Sequence, residues 1–73
     1  MTTTNSFVQT TVVGSRAYTV EYTERADSEG HRTWLAEMSL DGQWIHSLCR
    51  DTFDEAKADA DFTIATKAAR FAR

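Results

Sequence analysis

Glu21, Glu37 and His46 are the residues of this chain whose types could combine into acid–base chemistry. On one side of a sheet, Glu37 would face His46 across one pair of strands and Glu21 would face Glu37 across the next. Carboxylates beside an imidazole favour its charged form, and two carboxylates side by side resist joint ionisation. A catalytic site also needs a pocket and a positioned nucleophile or oxyanion donor. The sequence offers neither, so the trio reads as a solvated polar row and the chain as a non-enzyme.

Metal and cofactor chemistry fare no better. His46 and Cys49 stand three apart, which on a strand sends them to opposite faces. His31 falls in a turn, and no cysteine pair or His–Glu spacing suits zinc. Three isolated glycines make no phosphate-cradling loop, so no cofactor is expected. Cys49, the sole cysteine, reads as a small core residue.

The elements that position these residues are legible from turn chemistry. Asp41-Gly42, between Arg32–Leu40 and Gln43–Arg50, is a signal for a two-residue type I′ hairpin. A regular register from that turn pairs Met38 with Ile45, Ala36 with Ser47 and Trp34 with Cys49. One face then holds Trp34, Ala36, Met38, Leu40, Ile45 and Cys49; the other holds Leu35, Glu37, Trp44, His46 and Leu48. Asp27-Ser28-Glu29-Gly30 fits a type I turn followed by a left-handed glycine. The resulting three-residue loop brings Tyr18, Val20 and Tyr22 onto the Met38 face. A four-residue loop would reverse them. Upstream, Phe7–Val13 is either a separate first strand or, through a bulge at Gly14, the start of the Tyr18 strand.

Thr52-Phe53-Asp54-Glu55 is a capping box. It opens a helix from Phe53 to Phe71 with Phe53, Ala56, Ala60, Ile64, Ala68 and Phe71 on one stripe. Acids early (Asp54, Glu55, Asp59, Asp61) and bases late (Lys67, Arg70, Arg73) complement its dipole. The expected fold is α+β: an antiparallel meander of three or four strands with one C-terminal helix packed on one face. The 73 residues form one domain, with 1–6 as a flexible tail.

A single helix covers one face of the sheet only. Trp44, Leu35 and Leu48 are therefore expected on the open face, a tryptophan between leucines that suits an interface core. The bland alternatives are cover by the N-terminal residues or a symmetric dimer. Phe62 points away from the helix's core stripe, toward solvent, a partner or the tail.

Composition narrows the partners. The net charge is −3, with four Lys/Arg against six Asp/Glu in residues 1–50 and four against five thereafter. Neither part carries the basic footprint of a nucleic-acid binder. No apolar run approaches the roughly 20 residues of a membrane span, and the uncharged polar start is unlike a signal peptide. A lone thiol suits a reducing compartment, so a cytoplasmic protein is expected.

Strands followed by Thr52-x-x-Glu55-Ala56 resemble two formats over about residues 18–71. One is the arm-type DNA-binding domain of tyrosine recombinases, whose sheet enters the major groove; the other is the partial-RNase-H-like fold of HicB-type antitoxins. The recombinase format implies a basic strand face. Here that face carries Glu21 and Glu37, with Arg25 the main basic exception. In overall format the chain also resembles small phage-encoded inhibitors of host defence, anti-CRISPR proteins among them. That resemblance implies a protein in a bacterial cytoplasm that occludes a surface on a large host complex. Trp44, Leu35 and Leu48 would anchor it, Glu21, Glu37 and His46 would give polar specificity, and Phe62 would add a second contact. A small nucleic-acid module and a structural homodimer are the rival expectations.

Overall fold

The computed structural model describes residues 5–71, Phe71 by its backbone alone. Residues 1–4 of the expected tail, the side chain of Phe71 and the terminal Arg73 lie outside the described residues. Four strands, β1 (Ser6–Val13), β2 (Arg16–Ala26), β3 (Arg32–Leu40) and β4 (Gln43–Arg50), precede one helix, α1 (Phe53–Phe71). The strands form an antiparallel meander in the order β1-β2-β3-β4, and α1 packs on one face of it. The fold is α+β.

Phe7–Val13 belongs to a separate strand, which settles the alternative left open by the sequence. Gly14, at φ 64°, lets the chain reverse over two residues, and β1 then pairs with β2 without a break from Val13–Arg16 to Ser6–Thr23. Ser6 already belongs to β1, and Asn5 is tied to β2, since the Glu24 N–H donates to the Asn5 carbonyl at 2.9 Å. The flexible tail expected over 1–6 thus does not reach residues 5 and 6.

The β2–β3 loop adopts the expected three-residue form. Gly30 N–H donates to the Asp27 carbonyl and Asp27 N–H to the His31 carbonyl, both at 3.0 Å. The Asp27 carboxylate closes the loop by accepting from the N–H groups of Glu29 and His31 at 2.9 Å each. Tyr22 consequently faces Ala36, Val20 faces Met38 and Tyr18 faces Leu40. At the next turn, Asp41 and Gly42 take φ 51° and 88°, the two left-handed residues of a type I′ hairpin.

The hairpin's register departs from the regular one. Ser39 faces Trp44, but Met38 faces His46, Ala36 faces Leu48 and Leu35 faces Cys49. Ile45 is therefore an extra residue, a β-bulge that shifts the rest of β4 by one position. A one-residue shift exchanges faces. Leu48 moves to the helix side, where it packs against the core, and Cys49 moves to the open side and is exposed. Burying a leucine removes more apolar surface from water than burying a cysteine, and Ile45 still packs inward. The shift also brings Arg50 to the helix side, where its guanidinium pairs with Asp59 of α1.

The core is Tyr18, Val20, Tyr22, Ala36 and Met38 from the sheet against Ala56, Ala60 and Ile64 from α1. Alanines at the contact let the helix sit close. Phe53, Trp34 and Phe7 extend the core at one end as an aromatic stack, with Phe53 ring centroids 5.2 Å from Trp34 and 5.5 Å from Phe7. At the helix start, Thr52 Oγ1 accepts from the Glu55 N–H at 3.2 Å, as a capping box requires. Glu55 reaches back to the Thr52 hydroxyl, at 3.0 Å, instead of to its N–H.

Candidate interaction surface

Because α1 packs over β2, β3 and β4, the opposite face of the sheet is left open by the described residues. Side chains alternate along each strand, so the pairing registers assemble that face row by row. One row is Ser6, Thr23, Leu35 and Cys49. The next is Val8, Glu21, Glu37 and Ser47, and the third is Thr10, Thr19, Ser39 and Trp44. Val12 and Ala17 follow beyond.

Trp44 stands on this face as expected and is 60% exposed. Glu21 and Glu37 are directly opposed across β2 and β3, also as expected, and both are exposed. Neither carboxylate has an ion-pair partner among the described residues. Leu35 is on the open face and half-buried, paired with Cys49.

Two expected members are elsewhere. Leu48 is on the helix side of the sheet, packed on the core, because of the bulge at Ile45. His46 faces Met38 on that same side and is half-buried. Ser47 takes its place beside Glu37, so the Glu21–Glu37–His46 row does not form. Leu35 and Trp44 are also not neighbours: Leu35 is four residues from Ser39, which faces Trp44, about 13 Å along the strand. The row holding Glu21 and Glu37 lies between them. The open face is thus an acidic centre with apolar corners, not the continuous Trp–Leu–Leu patch expected from a regular register.

Phe62 lies on the outer face of α1, 72% exposed, beside a shallow depression lined with Ala65, Thr66, Ala69 and Arg70. It is remote from the open sheet face, on the other side of the molecule.

Sequence reasoning missed Val8 and Val12, which are 62% and 67% exposed on the open side of β1. The signal was present in the β-branched run of β1, but it could be read only once β1 was known to be a separate strand. Among the described residues, no group of three or more His, Cys, Asp or Glu side chains could hold a metal ion. No described helix is long and apolar enough to cross a membrane. No protein-family model, curated protein or solved structure matches the chain.

Proposed function

We propose that this chain is a non-enzymatic binding protein that docks through its open sheet face onto a larger protein and blocks a surface there. In format it is like the small inhibitors that phages direct against bacterial defence complexes, acting in the host cytoplasm. The observation that carries the reading is the opposition of Glu21 and Glu37 on an uncovered face flanked by Trp44. Like charges directly opposed weaken a sheet, so the pair is a cost to the free protein that a cationic partner surface would relieve. Trp44 supplies the rigid aromatic anchor typical of interface hot spots. Val8, at the end of the acidic row, and Leu35, in the row next to it, add apolar area, while Phe62 belongs to a separate surface.

The test is capture from a bacterial lysate with the wild type and with Trp44→Ala, followed by titration of the recovered complex. A true anchor makes truncation cost about 2 kcal/mol or more of binding. A normally folded Trp44→Ala that binds unchanged removes the assignment. The nucleic-acid alternative predicts affinity that falls steeply with salt, by close to one power of concentration per phosphate contact. Its face would be led by Glu21 and Glu37, which repel phosphate.

A further inference from the structure

We infer that the free edge of β1 is a self-association surface, on which a second copy of this chain pairs antiparallel about a two-fold axis through Thr10. The sheet has two edges, and they differ in kind. A lone edge strand offers unpaired N–H and C=O groups to any passing strand, and soluble proteins guard it with charges, prolines or bulges. The β4 edge is guarded by the bulge at Ile45 and ends in Arg50. The β1 edge, Ser6–Val13, has no charge and no proline, and its register to β2 is unbroken over all eight residues. Helix α1 packs mainly over β2, β3 and β4 and meets β1 where Phe53 stacks on Phe7, and among the described residues no strand pairs with the outer edge of β1.

Exposure points the same way. Of the six exposed large hydrophobic residues among those described, Phe7, Val8, Val12 and Val13 are all on β1. A partner strand would cover part of each. The chain carries a net charge of −3, so two copies repel except along an uncharged strip, which β1 is.

The pairing has one register that suits the side chains. An antiparallel two-fold pairing keeps opposed residues on the same face, so each residue must meet one of its own parity. With Thr10 on the axis, Thr10 meets its own copy and Gln9 meets Thr11. Val8 then meets Val12, and Phe7 meets Val13. Every apolar residue meets an apolar one. Shifting the axis to Gln9 sets Val8 against Thr10 and Phe7 against Thr11; shifting it to Thr11 sets Val12 against Thr10. The backbone agrees. Asn5 accepts from Glu24 on the β2 side, so in the alternation of an antiparallel ladder residues 6, 8, 10 and 12 turn their N–H and C=O groups outward. Val8, Thr10 and Val12 would each exchange bonds with the second copy, roughly six hydrogen bonds in all. Both helices would lie on one side of a continuous eight-stranded sheet, and the two open faces would join on the other.

The test is sedimentation of the full chain over a wide concentration range, with cysteine cross-linking in a Cys49→Ser background. The wild type is expected to shift from the one-chain to the two-chain mass as concentration rises. Thr10→Lys, which sets two ammonium groups face to face, is expected to hold it at the one-chain mass. Thr10→Pro removes an outward N–H that β2 does not use, so it should keep the fold and lose the dimer. Thr10→Cys should cross-link readily, because bonded antiparallel pairs hold Cα atoms about 5.5 Å apart, within disulfide range. Val8→Cys should not, since Val8 and its copy would be offset by four residues, about 14 Å. A one-chain mass at every concentration overturns the inference, whether or not another protein's strand occupies the edge. So does a dimer that survives Thr10→Lys but is abolished by Trp44→Ala, or equal cross-linking at positions 8 and 10.

Discussion

Asp41 holds both backbone polar groups of Ala17. The Asp41 N–H donates to the Ala17 carbonyl at 2.8 Å, and the Asp41 carboxylate accepts from the Ala17 N–H at 2.9 Å. The β3–β4 turn is thereby fastened to the start of β2, the strand that pairs with β3. Asp41 does this from a left-handed backbone, φ 51°, that aspartate and asparagine tolerate better than most residues. Asp41→Ala loses the side-chain bond and retains the strain, so it should cost about 1–2 kcal/mol in denaturant unfolding. Asp41→Asn keeps an acceptor and the backbone preference and should cost clearly less. Equal costs would mean that the bond to Ala17 contributes nothing.

Tyr22 carries a different kind of tension. Its ring is buried against Phe53, 5.0 Å between centroids, while its hydroxyl is buried with no hydrogen-bond partner among the described residues. Burial, and then the nearby Asp61 carboxylate, push its ionisation above the ordinary tyrosine value of 10.0. The unfolded chain therefore loses this proton at lower pH than the folded one. The stability tied to the neutral hydroxyl is complete below pH 10 and falls as pH rises through the folded value. Tyr22→Phe removes an unsatisfied buried group and should raise stability by about 1 kcal/mol at neutral pH. It should also flatten the alkaline limb of a stability–pH curve. A Tyr22→Phe variant that is less stable than wild type would show that the hydroxyl has a partner after all.

The close approach of helix to sheet rests on Ala56 and Ala60, both fully buried. Ala60→Leu adds volume where none is free and should cost about 1–3 kcal/mol. Ala58→Leu, on the exposed outer face, should stay within about 0.5 kcal/mol of wild type. Thermal unfolding of the pair separates the effects. Similar midpoints would place the helix farther from the sheet than its buried alanines indicate.

Leu48 and Cys49 locate the boundary of what the sequence discloses. The turns were legible because Asp41-Gly42 and Asp27–Gly30 have backbone requirements that few residues meet, and the helix was legible from Thr52, Glu55 and its alanine stripe. The β4 faces were not, because a bulge has no residue signature at Trp44-Ile45-His46; its reason is distant, in the core space that Leu48 fills and in the meeting of Arg50 with Asp59. Leu48→Ala should therefore cost about 2 kcal/mol, the low end for a core leucine, while Cys49→Ser should be nearly neutral. The regular register demands the opposite order, so urea midpoints of the two variants decide between them.

Glu21 and Glu37 separate stability from binding. Directly opposed carboxylates repel, and neither has an ion-pair partner among the described residues. Glu37→Gln removes the repulsion and keeps the shape, so the free protein should gain about 0.5 kcal/mol. On the reading that a cationic surface meets this row, the same change should weaken capture of the partner, and low salt should widen the gap between variant and wild type. Ser47→Ala, in the same row but uncharged, should alter neither quantity. Stability that rises while binding falls is the pattern of a surface kept unfavourable for a partner's sake. A Glu37→Gln variant that gains stability and binds as before would leave the pair as an unrelieved repulsion and move the contact away from the centre of the open face.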